Sequence, residues 1–440
     1  MLNAADNELL TRTGRGTPMG ELFRRFWIPA LLESEVPEAG APPVKVGLLG
    51  EKLVAFRGAD GQVGLLEARC PHRHANLYWG RNEEDGLRCV YHGWKFGFDG
   101  QCLEMPAEPE DSTYSGKVRA VAYPARAAGG IVWAYLGPET QRPPFPDLEW
   151  TKLPGDWFQA SKRLQRCNWF QNVEGELDTA HVQFLHRNLA PRADVQQNRI
   201  QSTLAKAENP QYTIAEEPFG MLAVAERQMP EENAKYWRIT PFLMPSFTMV
   251  PAQHMDLNTF TAAVPVDDEN MWGFTVTWRN DRPFDDADRQ NYADGQVLHV
   301  QVDPETFIPL ANRENNFGLD REMQRTVNFS GIAGIRNQDL PVQEDQDGPV
   351  CDRSTEHLGT TDRAIVAARR LVIRAAKELA GGKEPSQPHA AASYYARSLA
   401  QQAPADEPWR ELWAAAQPAA SPAPALTSAS HASQPGTGER

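Results

Sequence analysis

Residues 70–94, CPHRHANLYWGRNEEDGLRCVYHGW, contain the pattern from which the fold of this chain is inferred. Each end of the stretch carries one cysteine and one histidine: Cys70 and His72, then Cys89 and His92. Two thiolates and two imidazoles hold either a structural zinc ion or a [2Fe–2S] cluster in which two histidines replace two cysteines on one iron. Zinc sites tend to pair cysteines in one loop and histidines in another, so the mixed pairing favours the cluster.

The sequence on both sides of this stretch is typical of a small β domain. Short alternating runs such as KLVAFRG and GGIVWAYLG are separated by glycine, asparagine and aspartate turns. We therefore expect an antiparallel cluster-binding domain over residues 44–145. Before it, residues 17–33 have apolar side chains at helical spacing. They predict a helix that stops near Pro29, within an N-terminal helical arm of residues 1–43.

A second group of metal-binding residue types lies further along the chain. Residues 167–186, CNWFQNVEGELDTAHVQFLH, contain Asp178, His181 and His186. At about 100° per residue, the two histidines lie about 140° apart on an ideal helix, which is too wide for both to reach one metal. We therefore expect a π-type bulge or a helix end between them, within a helix of residues 168–187.

Two histidines need one carboxylate to complete the triad that holds non-haem Fe(II) and leaves positions open for oxygen and substrate. The downstream candidate is Asp339, with three alternatives close by: Asp345, Asp347 and Asp352. Taken alone, this pattern is weak, because helical histidines are usually packed or solvated. Together with the first metal motif, it predicts a mononuclear iron site formed by His181, His186 and Asp339.

The rest of the chain mixes strands and helices. Over residues 146–402, strand-like runs such as MLAVAER and NTFTAAVPV alternate with helical segments, which predicts an α+β domain with an antiparallel sheet surrounded by helices. Residues 361–379 predict a helix that a glycine pair terminates. The Ala-, Pro- and Ser-rich residues 403–440 predict a disordered tail, with Trp409 and Trp413 available to hold its first part.

The composition excludes several classes of protein. The chain has 440 residues and a formal net charge of −14, which argues against binding nucleic-acid phosphates through clustered lysine and arginine. No apolar run reaches the roughly 20 residues that span a bilayer, and the N-terminal sequence does not resemble a signal peptide. Five cysteines are too few, and odd in number, for a disulfide framework. The sequence therefore predicts a cytoplasmic protein with neither nucleic-acid nor membrane partners.

Together these motifs resemble the Rieske non-haem iron oxygenases, and in particular the oxygenase (alpha) subunits of the phthalate dioxygenase type. The resemblance also includes flanking segments such as YWRITPFLMP and QDLPVQEDQDGPVCDRSTEHLG. It implies an N-terminal Rieske domain followed by a catalytic domain of the helix-grip, or START-like, kind. It further implies a [2Fe–2S] Rieske cluster, a mononuclear Fe(II), and assembly as a homotrimer or as a hexamer of stacked trimers.

The resemblance also implies how the two metal sites cooperate. An NAD(P)H-dependent reductase, similar to phthalate dioxygenase reductase, supplies electrons to the cluster, and the mononuclear iron uses them to activate O2 beside an aromatic substrate. By its place in D-x-x-H, Asp178 matches the carboxylate that bridges a cluster histidine of one subunit and an iron-ligand histidine of the next. We assign His92 and His181 as the two bridged residues. The chain has no G-x-G-x-x-G fingerprint after a predicted strand, so we do not expect it to bind NADH itself.

The resemblance makes an aromatic acid the expected substrate. A buried carboxylate is best recognised by a bidentate arginine, and three arginines lie in regions expected to line the pocket: Arg187, Arg227 and Arg238. Ring dihydroxylation is the leading reaction. The alternatives are a monooxygenase or aryl-ether O-demethylase on the same scaffold, and a Rieske electron carrier without a working second iron site.

Overall fold

The computed structural model describes residues 2–189, 203–204, 206–251, 257–295 and 297–418. Within these ranges the chain forms an α+β molecule in which the two β-rich halves, residues 27–135 and 158–404, contribute to one shared hydrophobic core. Within the same ranges, no helix has both the length and the apolar character needed to cross a bilayer.

The N-terminal segment differs from the predicted helical arm. It contains two short helices and a strand: α1, Ala4–Thr11; α2, Pro18–Phe23; and β1, Trp27–Leu32. The predicted helix over residues 17–33 is therefore wrong beyond residue 23. The apolar run WIPALL is buried almost completely and pairs with residues 131–135, which a local helical pattern cannot reveal. Pro29 lies where the register of this pairing shifts, because it has no N–H to donate.

The first half of the chain forms three small antiparallel sheets. Their remaining strands are β2, Val44–Leu48; β3, Glu51–Arg57; β4, Val63–Glu67; β5, Arg81–Glu83; β6, Gly86–Arg88; β7, Lys95–Phe96; β8, Cys102–Glu104; β9, Ala125–Ala128; and β10, Ile131–Tyr135. The sheet orders are β2-β3-β4, β5-β6-β7-β8 and β1-β10-β9. The predicted antiparallel β domain is confirmed, and the two metal-motif loops precede β5 and follow β6.

One large antiparallel sheet dominates the second half. Its strands are β11, Phe158–Gln165; β12, Gln211–Glu217; β13, Gly220–Met229; β14, Ala234–Leu243; β15, Phe247–Thr248; β16, Leu257–Pro265; β17, Met271–Arg279; and β18, Leu399–Pro404. They are arranged in the order β11-β17-β16-β15-β14-β13-β12, and β18 pairs with β14. Trp133 of β10 packs against Phe247 and Phe260 of this sheet, which joins the two halves.

Helices surround the large sheet, as predicted. They are α3, Trp169–Leu177; α4, Asp286–Ala293; α5, Arg321–Thr326; α6, Ile335–Glu344; α7, Arg363–Ala380; and α8, Trp409–Ala416. The helix predicted over residues 361–379 is confirmed as α7, which ends at Gly381. Helix α3 contacts α6 and the strands β15 and β16. Glu176 near the end of α3 bonds to Arg336 near the start of α6, so the last turn of α3 and the first turns of α6 lie together beside the sheet.

The described part of the C-terminal tail is ordered. The prediction of disorder from residue 403 is wrong for residues 403–418, because β18 pairs with β14 and α8 buries Leu412 against the core. Trp409 and Trp413 pack against the same core. Residues 419–440 of the predicted tail lie outside the described residues.

Candidate metal centres

Two matching loops carry the first set of candidate ligands. In one loop the N–H of His74 donates to the carbonyl of Cys70 at 2.8 Å, and in the other the N–H of Gly93 donates to the carbonyl of Cys89 at 3.0 Å. His74 and Gly93 both have positive φ, at 58° and 74°. Each loop therefore turns back at the same position after its cysteine, in a region that glycine adopts most easily.

The four side chains of these loops face each other. The thiols of Cys70 and Cys89 are buried and interact, and the rings of His72 and His92 lie 4.4 Å apart between centroids. Burial raises the pKa of Cys70 to about 11, although the backbone N–H of His72 lowers it. Among the described residues, Nδ1 of His92 is buried and has no hydrogen-bond partner. Two adjacent thiols and an orphaned imidazole nitrogen fit a [2Fe–2S] cluster of the mixed Cys/His type.

Aromatic rings cover both candidate imidazoles. Trp94 is buried and stacks on His72, with 4.2 Å between ring centroids and 10° between the ring planes. The ring of Tyr91 lies 3.9 Å from that of His92. Sequence order places Trp94 beside His92, whereas the fold places it on the histidine of the other loop. It therefore links the two loops across the candidate cluster.

Helix α3 stops before the two histidines of the second motif. It ends at Leu177, and the N–H of Asp178 makes the last helical hydrogen bond, to the carbonyl of Glu174 at 3.1 Å. The predicted helix over residues 168–187 is therefore wrong beyond residue 177. A single 3-10 turn, His181–Gln183, ends between the two histidines and takes the place of the expected bulge. This turn bends the chain enough to bring the histidines together.

His181, His186 and Asp339 meet at one point. The Nε2 atoms of the two histidines are 3.1 Å apart, and Oδ1 of Asp339 lies 3.8 Å from that of His181 and 3.4 Å from that of His186. Ligand atoms about 2.1 Å from one metal and at right angles to each other are about 3 Å apart. The triangle therefore fits one face of an octahedral iron site, and Asp339 rather than its acidic neighbours completes it.

Hydrogen bonds orient both imidazoles. Nε2 of Gln338 donates to the carbonyl of Ile332 at 2.9 Å, so its Oε1 accepts from Nδ1 of His186 at 2.7 Å. Nδ1 of His181 lies 3.4 Å from Oδ2 of Asp178. With the proton held on Nδ1, each ring presents Nε2 as the metal-binding atom.

The buried charges favour an ionised carboxylate at the triad. Burial opposes ionisation of Asp339, but His186, Arg336 and His181 hold the pKa of its carboxyl well below the usual range. For His181, burial lowers the pKa and the hydrogen bond with Asp178 raises it, with a net rise. A metal that binds at this ring takes the place of a proton.

Two family models match the chain in the order that the fold shows. The Rieske [2Fe–2S] domain matches residues 26–122, and the family described as LigXa C-terminal domain like matches residues 134–431, more than half of the chain. The chain belongs to the Rieske non-haem iron oxygenases. This oxygenase is an oxidoreductase subunit whose cofactors are a Rieske [2Fe–2S] cluster and a mononuclear non-haem iron.

Curated relatives agree along most of the oxygenase chain. It is 38% identical to the 3-chlorobenzoate-3,4-dioxygenase oxygenase subunit of Comamonas testosteroni, over 84% of this chain and 88% of that one. It is 36% identical to the phthalate 4,5-dioxygenase oxygenase subunit of Pseudomonas putida, over 87% and 88%. The crystal structure of dicamba monooxygenase bound to dicamba shares the fold, with a TM-score of 0.56 and 17% identity over 82% of this chain and 99% of that one.

Two of the three predicted substrate arginines lie together inside the oxygenase. Arg227 of β13 and Arg238 of β14 are buried, and the strand register places them diagonally on one face of the sheet. Burial and the charge of Arg238 lower the pKa of Arg227 to about 10. Nη2 of Arg227 donates to the carbonyl of Thr179 at 2.8 Å, beside the iron-site turn. Arg187, in contrast, is exposed next to His186.

Sequence analysis missed the residues that support the triad. Gln338 and Arg336 lie one and three positions before Asp339 on α6, and Glu176 lies two positions before Asp178. Polar residues within one helical turn of a candidate ligand were the available signal. Their partners are distant in sequence, so the spacing alone did not assign them.

Proposed function

We propose that this chain is the oxygenase component of a multicomponent Rieske oxygenase that hydroxylates an aromatic carboxylate, using O2 and electrons from an NAD(P)H-dependent reductase. The main support is the buried pair Arg227 and Arg238, which lies beside the His181–His186–Asp339 triad. Neither arginine has an ion-pair partner among the described residues. The two relatives are named for chlorobenzoate and phthalate, which are both aromatic carboxylates.

Unsatisfied hydrogen-bond donors support a carboxylate ligand. Within the described residues, four buried donor atoms lack a partner around this pair: Nε and Nη1 of Arg227, Nε of Arg238, and Oγ1 of Thr179. A buried guanidinium without a counter-charge is costly. A substrate carboxylate offers the acceptors and the negative charge that would satisfy it. Arg187 stays a predicted substrate contact outside this pair.

We also propose two sets of metal ligands. Cys70, His72, Cys89 and His92 would hold the Rieske cluster, and His181, His186 and Asp339 the mononuclear Fe(II). When bound, the cluster and the iron supply electron transfer and O2 activation. The residues of the chain position the reaction: the arginine pair orients the aromatic acid, while Gln338 and Asp178 hold the Nδ1 protons of the two imidazoles.

The bridging role of Asp178 implies contact with a second copy of the chain. Its side chain is 26% exposed, and its two oxygens have lone pairs beyond the one directed at His181. We propose that it accepts a hydrogen bond from the cluster residue His92 of a neighbouring copy and so connects the cluster of one subunit to the iron of the next. The test is Asp178→Asn, which should slow electron arrival at the iron while cluster reduction by the reductase is unchanged.

Two apolar patches support a homotrimer. We call Trp79, Val90, Tyr91 and Tyr114 the cluster-side patch, and Phe184, Leu189, Val327, Phe329 and Val342 the iron-side patch. These side chains are 40–67% exposed. Two different patches on one chain favour a head-to-tail contact, and such contacts form a ring when the rotation between neighbouring copies closes. A hexamer of two stacked rings is compatible with the same contact.

We propose that the protein works in a reducing cytoplasm. All five cysteines are free and buried. Cys102, Cys167 and Cys351, which belong to neither metal motif, pack as core residues, and the pKa of each is raised by burial. Such thiols are poor nucleophiles and need no disulfide partner.

Turnover with a panel of aromatic acids tests the function. The oxygenase is reduced anaerobically by a phthalate-type reductase and NADH, and O2 is then admitted in a pulse while products are identified by mass. A cis-dihydrodiol establishes a dioxygenase, whereas a phenol, with an aldehyde from an aryl ether, establishes the monooxygenase or O-demethylase alternative. Reduction without substrate-dependent O2 uptake, in a protein with only two irons per chain, would establish the electron carrier instead.

A further inference from the structure

Helix α6 carries a buried arginine one turn before Asp339. Arg336 is 2% exposed, and its Nη1 bonds to Oε1 of Glu176 and lies 3.4 Å from Oδ2 of Asp339. The two oxygens of Asp339 therefore face different groups. Oδ1 faces the Nε2 atoms of the two histidines, whereas Oδ2 faces the guanidinium.

A carboxylate can bind a metal through one oxygen or through both. A guanidinium that donates to one oxygen competes for the lone pairs with which this oxygen would bind the metal, and arginine cannot lose its charge to release it. We propose that Arg336, held in place by Glu176, is a positioning residue that keeps Asp339 a ligand through Oδ1 alone. One more coordination position of the iron then stays open for oxygen or substrate. The inference rests on the proposed iron site.

Glu176 holds Arg336 in the position this role requires. It lies on α3, whereas Arg336 lies on α6, so their bond ties together the two helices that lead to the iron ligands. A second tie is formed by amides, since Oε1 of Gln343 on α6 accepts from Gln165 at 2.6 Å and from Asn172 of α3 at 3.1 Å. The guanidinium therefore cannot move away from Oδ2 without disturbing the junction between the helices.

Two variants separate positioning from folding. Arg336→Lys keeps the charge but removes the planar fork, and the double variant Arg336→Met with Glu176→Met removes the pair without leaving a buried charge alone. The matched control is Arg353→Met with Glu174→Met. Arg353 is also fully buried and binds Glu174 of the same helix at 2.8 and 2.9 Å, but neither residue contacts the triad.

The measurement uses the full chain with its cluster loaded. The mononuclear site is emptied and titrated with Fe(II), and bound Fe(II) is examined by near-infrared magnetic circular dichroism, which reports coordination number. We expect both Arg336 variants to shift toward six-coordinate spectra, because Asp339 becomes free to use both oxygens. The cluster's visible spectrum should not change.

The control pair distinguishes the outcomes. It should lower the melting temperature but leave Fe(II) affinity and the near-infrared spectrum as in the parent. If the Arg336 variants also lower only the melting temperature, Arg336 is merely structural and the inference is overturned. If the parent protein binds no third iron, the proposed iron site itself fails, irrespective of Arg336.

Discussion

Gln338 and Asp178 perform similar tasks for the two candidate iron histidines, but they differ in charge and in exposure. Gln338 is a buried, neutral acceptor 2.7 Å from His186, and its amide is fixed by a second hydrogen bond to Ile332. Asp178 is charged, partly exposed and 3.4 Å from His181. The carboxylate of Asp178 has a second oxygen and is partly exposed, so it can accept from a second imidazole, whereas the amide oxygen of Gln338 is buried. This difference is our reason for proposing the bridge between subunits at His181 rather than at His186.

The role of Gln338 can be tested by removing its acceptor oxygen. In Gln338→Leu, Nδ1 of His186 loses its hydrogen bond to Oε1 of residue 338, and the ring is held less firmly. Loss of such an outer contact typically weakens metal binding by about 10- to 100-fold, so we expect Fe(II) affinity to fall within that range. Gln338→Glu, which keeps an acceptor in place, is the control and should stay closer to the parent. Parent-like Fe(II) binding by the leucine variant would contradict the assignment.

The arginine pair predicts a change in substrate binding. Arg227→Lys keeps a charge but loses the fork. A hydrogen bond between charged groups contributes about 1.5–3 kcal/mol, so KM for an aromatic acid should rise at least about tenfold. The change in kcat should be smaller, because the arginine contacts the carboxylate and not the reacting ring. An uncharged amide analogue of the substrate is the control, and an equal rise in its KM would argue against a carboxylate contact.

Helices and strands whose ends are determined by nearby sequence could be predicted, whereas those that depend on partners distant in sequence could not. Helix α7 has its apolar face and its terminating glycines within its own sequence. Strand β1 was taken for a helix because its partner, β10, lies about 100 residues later. Strand β18 likewise depends on a distant partner, β14. The candidate metal ligands could be selected from the sequence because metal chemistry restricts residue types and spacing, but the bond between Arg336 and Glu176 joins residues 160 positions apart.

We expect the buried side chain of His299 to make the protein less stable in acid. Its ring lies between Ser161 of β11, at 2.6 Å, and Thr277 of β17, at 2.9 Å. Burial, together with the charges of Arg336 and Arg163, lowers its pKa to about 3. An unfolded histidine binds a proton near pH 6.5, so acid favours the unfolded chain. The free energy of unfolding is unaffected by this group above pH about 7 and falls as the pH drops from about 6.5 toward 3.

This dependence can be measured by unfolding at a series of pH values. Between pH 7 and pH 5, the parent should lose about 2 kcal/mol more than His299→Gln, which lacks the imidazole that takes up a proton on unfolding. His357, which is exposed, provides the control, and His357→Gln should follow the parent. Parallel pH curves for the parent and His299→Gln would show that His299 does not titrate in this way.

At the scale of the whole molecule, we expect the two apolar patches to determine how copies assemble. The cluster-side patch includes side chains beside the histidines of the Rieske motif, because Tyr91 contacts His92 and Tyr114 contacts Trp94. The iron-side patch includes Phe184 and Phe329, which contact each other and lie in the segments that lead to His186 and Asp339. A head-to-tail contact between the patches would place the cluster of one copy beside the iron of the next. This geometry fits the assigned role of Asp178.

A head-to-tail ring makes a specific prediction about mixed variants. Trp79→Glu and Phe329→Glu each place a charge in one patch. By sedimentation, each variant alone should therefore have the mass of a single chain, whereas the parent should have three or six times that mass. Each variant should still accept electrons into its cluster but give no product.

Mixing the two variants retains one complementary pair of patches: the intact cluster-side patch of Phe329→Glu can bind the intact iron-side patch of Trp79→Glu. Mixing should therefore give a two-chain complex and restore part of the turnover. Asp178→Asn is the control, with parent-like mass but slow turnover, and failure of the mixture to associate would exclude the head-to-tail contact.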